Sequence, residues 1–182
     1  MFQLINSFNQ ITVTGNSLVV LDIDETIMAF PNITKSWWRE TFERNMGETN
    51  DKKQADELTL HEWRAHVAEA RPYLLDVIKL RKFLNEIEDK SCELVLLTAR
   101  DKCMENVTIK HISHCELEIS PNQIIHNENK GDALAELVQQ YPEISQVIFV
   151  DDFEKNLHSV KTRFDQPDMS GYTVQLYQIA HQ

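Results

Sequence analysis

Leu18-Val19-Val20-Leu21 runs unbroken into Asp22-Ile23-Asp24-Glu25-Thr26, and this stretch constrains the fold more tightly than any other. A continuous apolar run behind the turn-forming Gly15-Asn16-Ser17 reads as a central strand covered on both faces. Asp22 then falls at the C-terminal end of that strand, the edge at which open α/β sheets bind ligands. Strand residues alternate in direction only while extended, so Asp22 and Asp24 share one site if the backbone leaves the strand just after Asp22. Carboxylates crowded into one crevice repel each other and require a cation or a shared proton. A hard divalent ion such as Mg²⁺ meets that need most simply.

The pattern repeats along the chain. Glu93–Leu97 reads as a second buried strand ending in Thr98-Ala99-Arg100, and Gln123–His126 as a short third. Val147–Val150 is a fourth, ending in Asp151-Asp152, and Tyr172–Tyr177 alternates as a fifth. Helical periodicity fills the intervals at 74–88, 101–117 and 154–160, and from Asn129-Lys130-Gly131-Asp132 to Tyr141. Residues 1–16 lead in as a short strand or helix. Strands separated by helices predict an α/β fold with a parallel sheet of about five strands and right-handed crossovers. Asp22, Thr98 and Asp151-Asp152 each lie just past the C-terminal end of a strand, so the topology converges them.

Residues 32–70 break this rhythm. Trp37, Trp38, Phe42 and Met46 recur at helical spacing, with Gly47 as the expected C-cap. Glu48–Glu57 reads as a loop or a frayed helix, and Thr59-Leu60-His61-Glu62 as a capping box opening a second helix. Pro72 fits the first turn of the next helix. The expected division is a core of residues 1–31 and 71–182 and a small helical insertion, 32–70, over the C-terminal edge of the sheet. The three Trp residues form the insertion's core, or one of them lines a substrate entrance.

Charge narrows the partners. A formal net charge of -11 and the lack of any Lys/Arg run argue against nucleic acid and anionic membrane surfaces. No apolar run approaches the length of a membrane span, and Met1–Gln10 lacks the basic start of a signal peptide. Cys92, Cys103 and Cys115, odd in number and without a C-x-x-C pair, predict reduced thiols in a cytoplasmic setting. The last strand runs almost to Gln182, as in a domain cut from a longer protein.

The residue types at the converging edge define a chemistry. Asp22, Asp24, Asp151 and Asp152 offer oxygen ligands suited to Mg²⁺, with room left for water and phosphate. A carboxylate can also attack phosphorus and form an acyl phosphate. The Thr98 hydroxyl and the Lys130 ammonium can hold phosphoryl oxygens while charge redistributes, and Arg100 is a candidate second phosphate contact.

The set Asp22-x-Asp24-x-Thr26, Thr98, Lys130 and Asp151-Asp152 resembles, in order and over nearly the whole chain, the four motifs of the haloacid dehalogenase (HAD) superfamily. The resemblance implies a Rossmann-like core in which Asp22 becomes an aspartyl-phosphate and Asp24 first protonates the leaving alcohol and then activates water. It implies Mg²⁺ held by the Asp22 side chain, the Asp24 backbone carbonyl and Asp151, with Asp152 a direct ligand or a partner behind it, and Asn156 orienting that loop. An Asp at position 24 implies a phosphatase rather than a dehalogenase. The insertion stands where a C1-type cap stands, and its small size leaves room for larger substrates.

The wording Asp22-Ile23-Asp24-Glu25-Thr26-Ile27 is also similar to motif one of the Eyes-absent tyrosine phosphatases and the RNA polymerase C-terminal-domain phosphatases. The Trp-bearing segment and Leu97-Thr98-Ala99-Arg100 resemble HAD-like effector phosphatases of intracellular bacteria. The expectation is therefore a Mg²⁺-dependent hydrolase of phosphoprotein, a protein tyrosine phosphatase acting in the cytoplasm or secreted as an effector into that of a host cell. The insertion is unlike the Eyes-absent cap, so that family's substrate does not carry over. The alternatives are a phosphatase of nucleotides or sugar phosphates, and a non-catalytic binding module, against which the intact Asp22, Asp24, Lys130 and Asp151 argue.

Overall fold

A computed structural model describes residues 2–181 of the chain, so Gln182, on which the expectation of a cut domain turns, lies outside it. The described residues form a six-stranded sheet and a separate two-stranded one. In chain order the strands are β1 (Gln3–Ile5), β2 (Ser17–Leu21), β3 (Met28–Ala29), β4 (Tyr73–Leu74), β5 (Glu93–Thr98), β6 (Ile124–His126), β7 (Gln146–Asp151) and β8 (Thr173–Ile179). The helices are α1 (Lys35–Thr49), α2 (Lys52–Glu69), α3 (Val77–Asp89), α4 (Glu105–His114), α5 (Lys130–Val138) and α6 (Glu154–Phe164).

The large sheet runs β1-β8-β7-β2-β5-β6, and each of its pairs is parallel. It has one strand more than the five expected, because the lead-in forms β1 on the far side of β8. All five residues of β2 are buried, as its unbroken apolar run requires of a central strand. Leu18 and Val20 pack with Val95, Leu97, Val147 and Phe149, under Leu134 and Val138 of α5 and Leu157 and Val160 of α6. Val19 and Leu21 alternate to the opposite face and are buried there too.

By contact density the chain divides into two compact units. The first comprises residues 1–28, 74–102 and 119–182 and holds the large sheet. The second comprises residues 29–73 and 103–118, hence α1, α2 and α4.

Within the second unit, several local expectations need correction. α1 runs past Gly47 to Thr49 and ends on Asn50, whose φ of 50° places it in the left-handed region. α2 starts at Lys52, capped by Asp51, whose side chain accepts the Gln54 N–H, so of the two readings of 48–57, a loop or a frayed helix, the helical one holds for most of it. Thr59 lies inside α2, fully buried, and its hydroxyl donates to the Ala55 carbonyl at 2.7 Å. Asn45 of α1 reaches across to Thr59 Oγ1 and to Glu62 Oε1, each at 3.1 Å. The Thr-x-x-Glu pattern thus serves bonding between helices instead of a cap. The three Trp residues are not a buried core: Trp37 and Trp63 are half-buried and Trp38 is exposed, while Thr41, Asn45, Ala55, Thr59 and Val67 fill the interior. After Pro72, Tyr73-Leu74 is a strand, and α3 begins only at Val77.

One packing contact makes a direct prediction. A Cβ on Gly131 would stand 2.6 Å from the Ser159 carbonyl oxygen and 2.7 Å from its Oγ, closer than real contacts allow. Gly131→Ala forces α5 and α6 apart and lowers stability by about 1–3 kcal/mol. Adding Ser159→Ala gives no full rescue, because the nearest obstacle is backbone. A urea-denaturation midpoint equal to that of the unaltered protein would refute this.

Candidate active site

Register builds the site. Leu21 lies opposite both Leu96 of β5 and Val150 of β7, so three strand ends line up at one edge. The Asp22 N–H still donates to the Val150 carbonyl at 2.9 Å, which sets Asp22 beside Asp151. The backbone then turns. Glu25 takes a positive φ of 57°, and its N–H donates to the Met28 carbonyl at 2.8 Å. Ile27 and Met28 both donate to the Ile23 carbonyl, so Asp24 and Thr26 leave the strand direction immediately after Asp22.

The turn brings Thr26 under the carboxylates. Its hydroxyl donates to Asp22 Oδ2 at 3.2 Å and accepts the Asp152 N–H at 3.0 Å, tying the end of β2 to the end of β7. Asp151 is held from its own loop: Phe153 N–H donates to Oδ1 at 2.8 Å, and Asn156 Nδ2 lies 3.1 Å from both carboxylate oxygens.

Lys130 opens α5, with Asn129 as the cap whose side chain accepts from Asp132 N–H. Its side chain runs back to the sheet edge and is fully buried. The ammonium donates to Asp151 Oδ2 at 2.7 Å and to Asp22 Oδ1, bridging the two carboxylates. Burial works against the Lys130 charge, but Asp22 and Asp151 outweigh it and hold the ammonium above its ordinary range. Burial is also the main influence on Asp22 and pushes its carboxyl up to about 8; Lys130 opposes that shift, and Asp151 and Asp24 add to it.

Asp24 is more open, its side chain 28 % exposed, and it is taken by Arg100. Arg100 Nε donates to Oδ2 at 2.8 Å and Nη2 to Oδ1 at 2.7 Å. Thr98 is fully buried, and its hydroxyl oxygen accepts the Arg100 N–H at 3.2 Å.

One carboxylate oxygen from each of Asp22, Asp151 and Asp152 lies within 4.8 Å of the others. A group of hard oxygen donors on two neighbouring strand ends fits a divalent cation of the Mg²⁺ kind. Asp24 joins the predicted residues through Arg100, its carboxylate lying outside that group. The expected site residues therefore all stand at or beside one edge of one sheet. Arg100 binds a carboxylate here, where the sequence offered a phosphate contact. The bonds of the Phe153 N–H and of Thr26 to Asp152 were not anticipated: the first is backbone, and a Thr gives no sign of its partner in sequence.

Solved structures share this architecture. CbbY from Rhodobacter sphaeroides, solved with phosphate and, as a point mutant, with xylulose-1,5-bisphosphate, superposes with a TM-score of 0.52 at 10% identity. The match covers 88% of this chain and 85% of that one. The class C acid phosphatase from Bacillus anthracis matches with a TM-score of 0.47 at 19% identity, over 94% of this chain and 70% of that one. The likeness to CbbY shows a HAD-like, Rossmann-type α/β fold. No curated protein sequence matches. A family model described as "Protein of unknown function (DUF2608)" matches residues 3–128 and 124–182, nearly the whole chain, and the chain belongs to that DUF2608 family.

Proposed function

We propose that the protein is a phosphomonoesterase working through a phosphorylated Asp22, with a small phosphate ester as substrate. The observation that carries this is the buried Asp22–Lys130–Asp151 bridge beside Asp152. Three carboxylates with one ammonium form a site that still demands positive charge, and a phosphoryl group brought with a divalent ion completes it.

Mg²⁺ would be held by Asp22, Asp151, the Asp24 backbone carbonyl and, directly or from behind, Asp152. When bound it neutralises charge on the carboxylates and on the phosphoryl oxygens. Asp22 attacks phosphorus, the bond from phosphorus to the ester oxygen breaks, and the Asp24 carboxyl gives its proton to that oxygen as the alcohol leaves. Water then attacks the acyl phosphate and returns a proton to Asp24, releasing phosphate and restoring Asp22. Lys130 and Thr98 stabilise the phosphoryl oxygens during both transfers. Residues 32–70 serve as the cap insertion of this core. Three cysteines without a C-x-x-C pair accord with work in a reducing, cytoplasmic setting.

The small-ester reading is preferred because a protein of this fold, CbbY, was solved with xylulose-1,5-bisphosphate. The phosphotyrosine and effector readings rest on motif wording alone. Phosphate release from nucleotide monophosphates, sugar phosphates, a phosphotyrosine peptide and a phosphoserine peptide, with Mg²⁺ and with EDTA, tests both. The expected result is turnover of small esters that EDTA abolishes. Turnover confined to the phosphotyrosine peptide would reverse the preference, and inertness of folded protein toward every ester would refute the function.

Metal binding has its own readout. Mg²⁺ at 100 times its dissociation constant stabilises the fold by about 2.7 kcal/mol, seen as a rise in Tm. Asp151→Asn removes most of that rise. An equal rise in the variant would rule Asp151 out as a ligand.

A further inference from the structure

Asp24 stands on a turn, not on the strand, one residue before the left-handed Glu25. The proton transfers assigned to it depend on how its carboxyl is aimed. Arg100 is built to aim it. The Arg100 side chain is 0 % exposed, and its backbone is pinned on both sides: its N–H donates to Thr98 Oγ1, and its carbonyl lies 3.2 Å from His126 Nδ1. A planar guanidinium on a fixed, buried backbone offers its fork in one direction. Nε and Nη2 meet the two oxygens of Asp24 in parallel.

We propose that Arg100 is the positioning residue of the acid–base step, clamping Asp24 by both oxygens so that β5 aims the carboxyl. This rests on the phosphatase reading above. Two N–H donors occupy one edge of the carboxylate, so a proton carried by Asp24 sits on the opposite edge, facing away from Arg100. From that edge it passes to the ester oxygen as the bond to phosphorus breaks. The same edge takes up the proton of the attacking water. Without the fork, the turn leaves Asp24 free to rotate, and proton transfer slows while attack by Asp22 does not.

Leaving groups separate these steps. A p-nitrophenolate departs readily without a proton, whereas the alkoxide of glycerol 3-phosphate needs one. In kcat/KM, which reports the leaving-group step, Asp24→Asn loses about 10²-fold or more on the alkyl ester beyond its loss on the aryl ester. Arg100→Gln and Arg100→Lys show the same selective loss in kcat/KM, about 10-fold or more, whereas kcat falls on both esters because hydrolysis of the shared acyl phosphate also uses Asp24. The double variant Asp24→Asn, Arg100→Gln is no slower than Asp24→Asn alone, because both changes remove one function. Inhibition by inorganic phosphate is unchanged in the Arg100 variants.

Equal losses of kcat/KM on the two esters would overturn the proposal. So would weakened phosphate inhibition with a raised KM, the mark of a direct phosphate contact, or losses that add in the double variant. If Arg100→Gln fails to fold, Arg100→Lys, which keeps the charge and loses the fork, decides alone. Unaltered protein that turns over neither ester nor any other phosphate would overturn the phosphatase reading and the clamp with it; turnover without the selective loss overturns the clamp alone.

Discussion

Asp22→Asn abolishes phosphate release, with initial rates down by about 10⁴-fold or more, while the protein stays folded. Asparagine keeps the shape of the side chain but cannot attack phosphorus to give an acyl phosphate. Rapid acid quenching during turnover traps phosphate on the unaltered protein and none on the variant. The fold survives because burial already pushes the Asp22 carboxyl up to about 8, so the metal-free native state accommodates an uncharged group there.

The same shift sets a pH dependence. Asp22 binds its proton more tightly folded than unfolded, where its value is the ordinary 3.8. Its contribution to stability is therefore fully present below about pH 4 and is lost as pH rises toward about 8. In EDTA, chemical denaturation across that window shows a downward slope that Asp22→Asn lacks. A residual rate within about tenfold of the unaltered protein, with no deamidation by mass, would remove Asp22 from the nucleophile's role.

The second large effect is at Lys130. Its ammonium is the counter-charge between Asp22 and Asp151, and no part of its side chain reaches solvent. Lys130→Met keeps most of the volume but leaves the buried Asp151 carboxylate without its counter-charge, beside the carboxyl of Asp22. Breaking a buried pair by removing one partner costs about 3–5 kcal/mol. For a chain of this length that lowers Tm by about 6–20 °C. Saturating Mg²⁺ restores part of the loss, because a divalent cation takes over the neutralisation, yet activity stays low for want of a donor to the phosphoryl oxygens. A Tm within about 1 °C of the unaltered protein in EDTA would show that the bridge carries no stability.

Strand ends were legible because each signal was local. Leu18–Leu21, Glu93–Leu97 and Val147–Val150 are apolar runs that stop at polar residues, and a parallel sheet brings those stops to one edge. Partners across the fold were not legible. Nothing near Arg100 in sequence points to Asp24, 76 positions away, and nothing in 103–118 tells that it groups with 29–73. The α1–α2 pair misled for a physical reason. Its interior is small and polar, with Asn45 bonded to Thr59, so the aromatic stripe does not coincide with the buried face and the usual link between apolar period and core fails. β1, three residues long, carries too little pattern to be told from a helix.

The place of β1 also orders assembly in time. β2 can pair with β5 once residue 98 has been synthesised, and β7 can then close on its other side. Among the described residues β1 pairs with β8 alone, the last of the described strands, and Ala180 N–H donates to the Ile5 carbonyl. β1 therefore waits unpaired until residue 179 has been made, and β1 and β8, about 170 positions apart, then zip together at one edge of the sheet. Such a late, long-range pairing is slow to form. Until β8 docks, the exposed flank of β7 is the strand edge most open to a wrong partner.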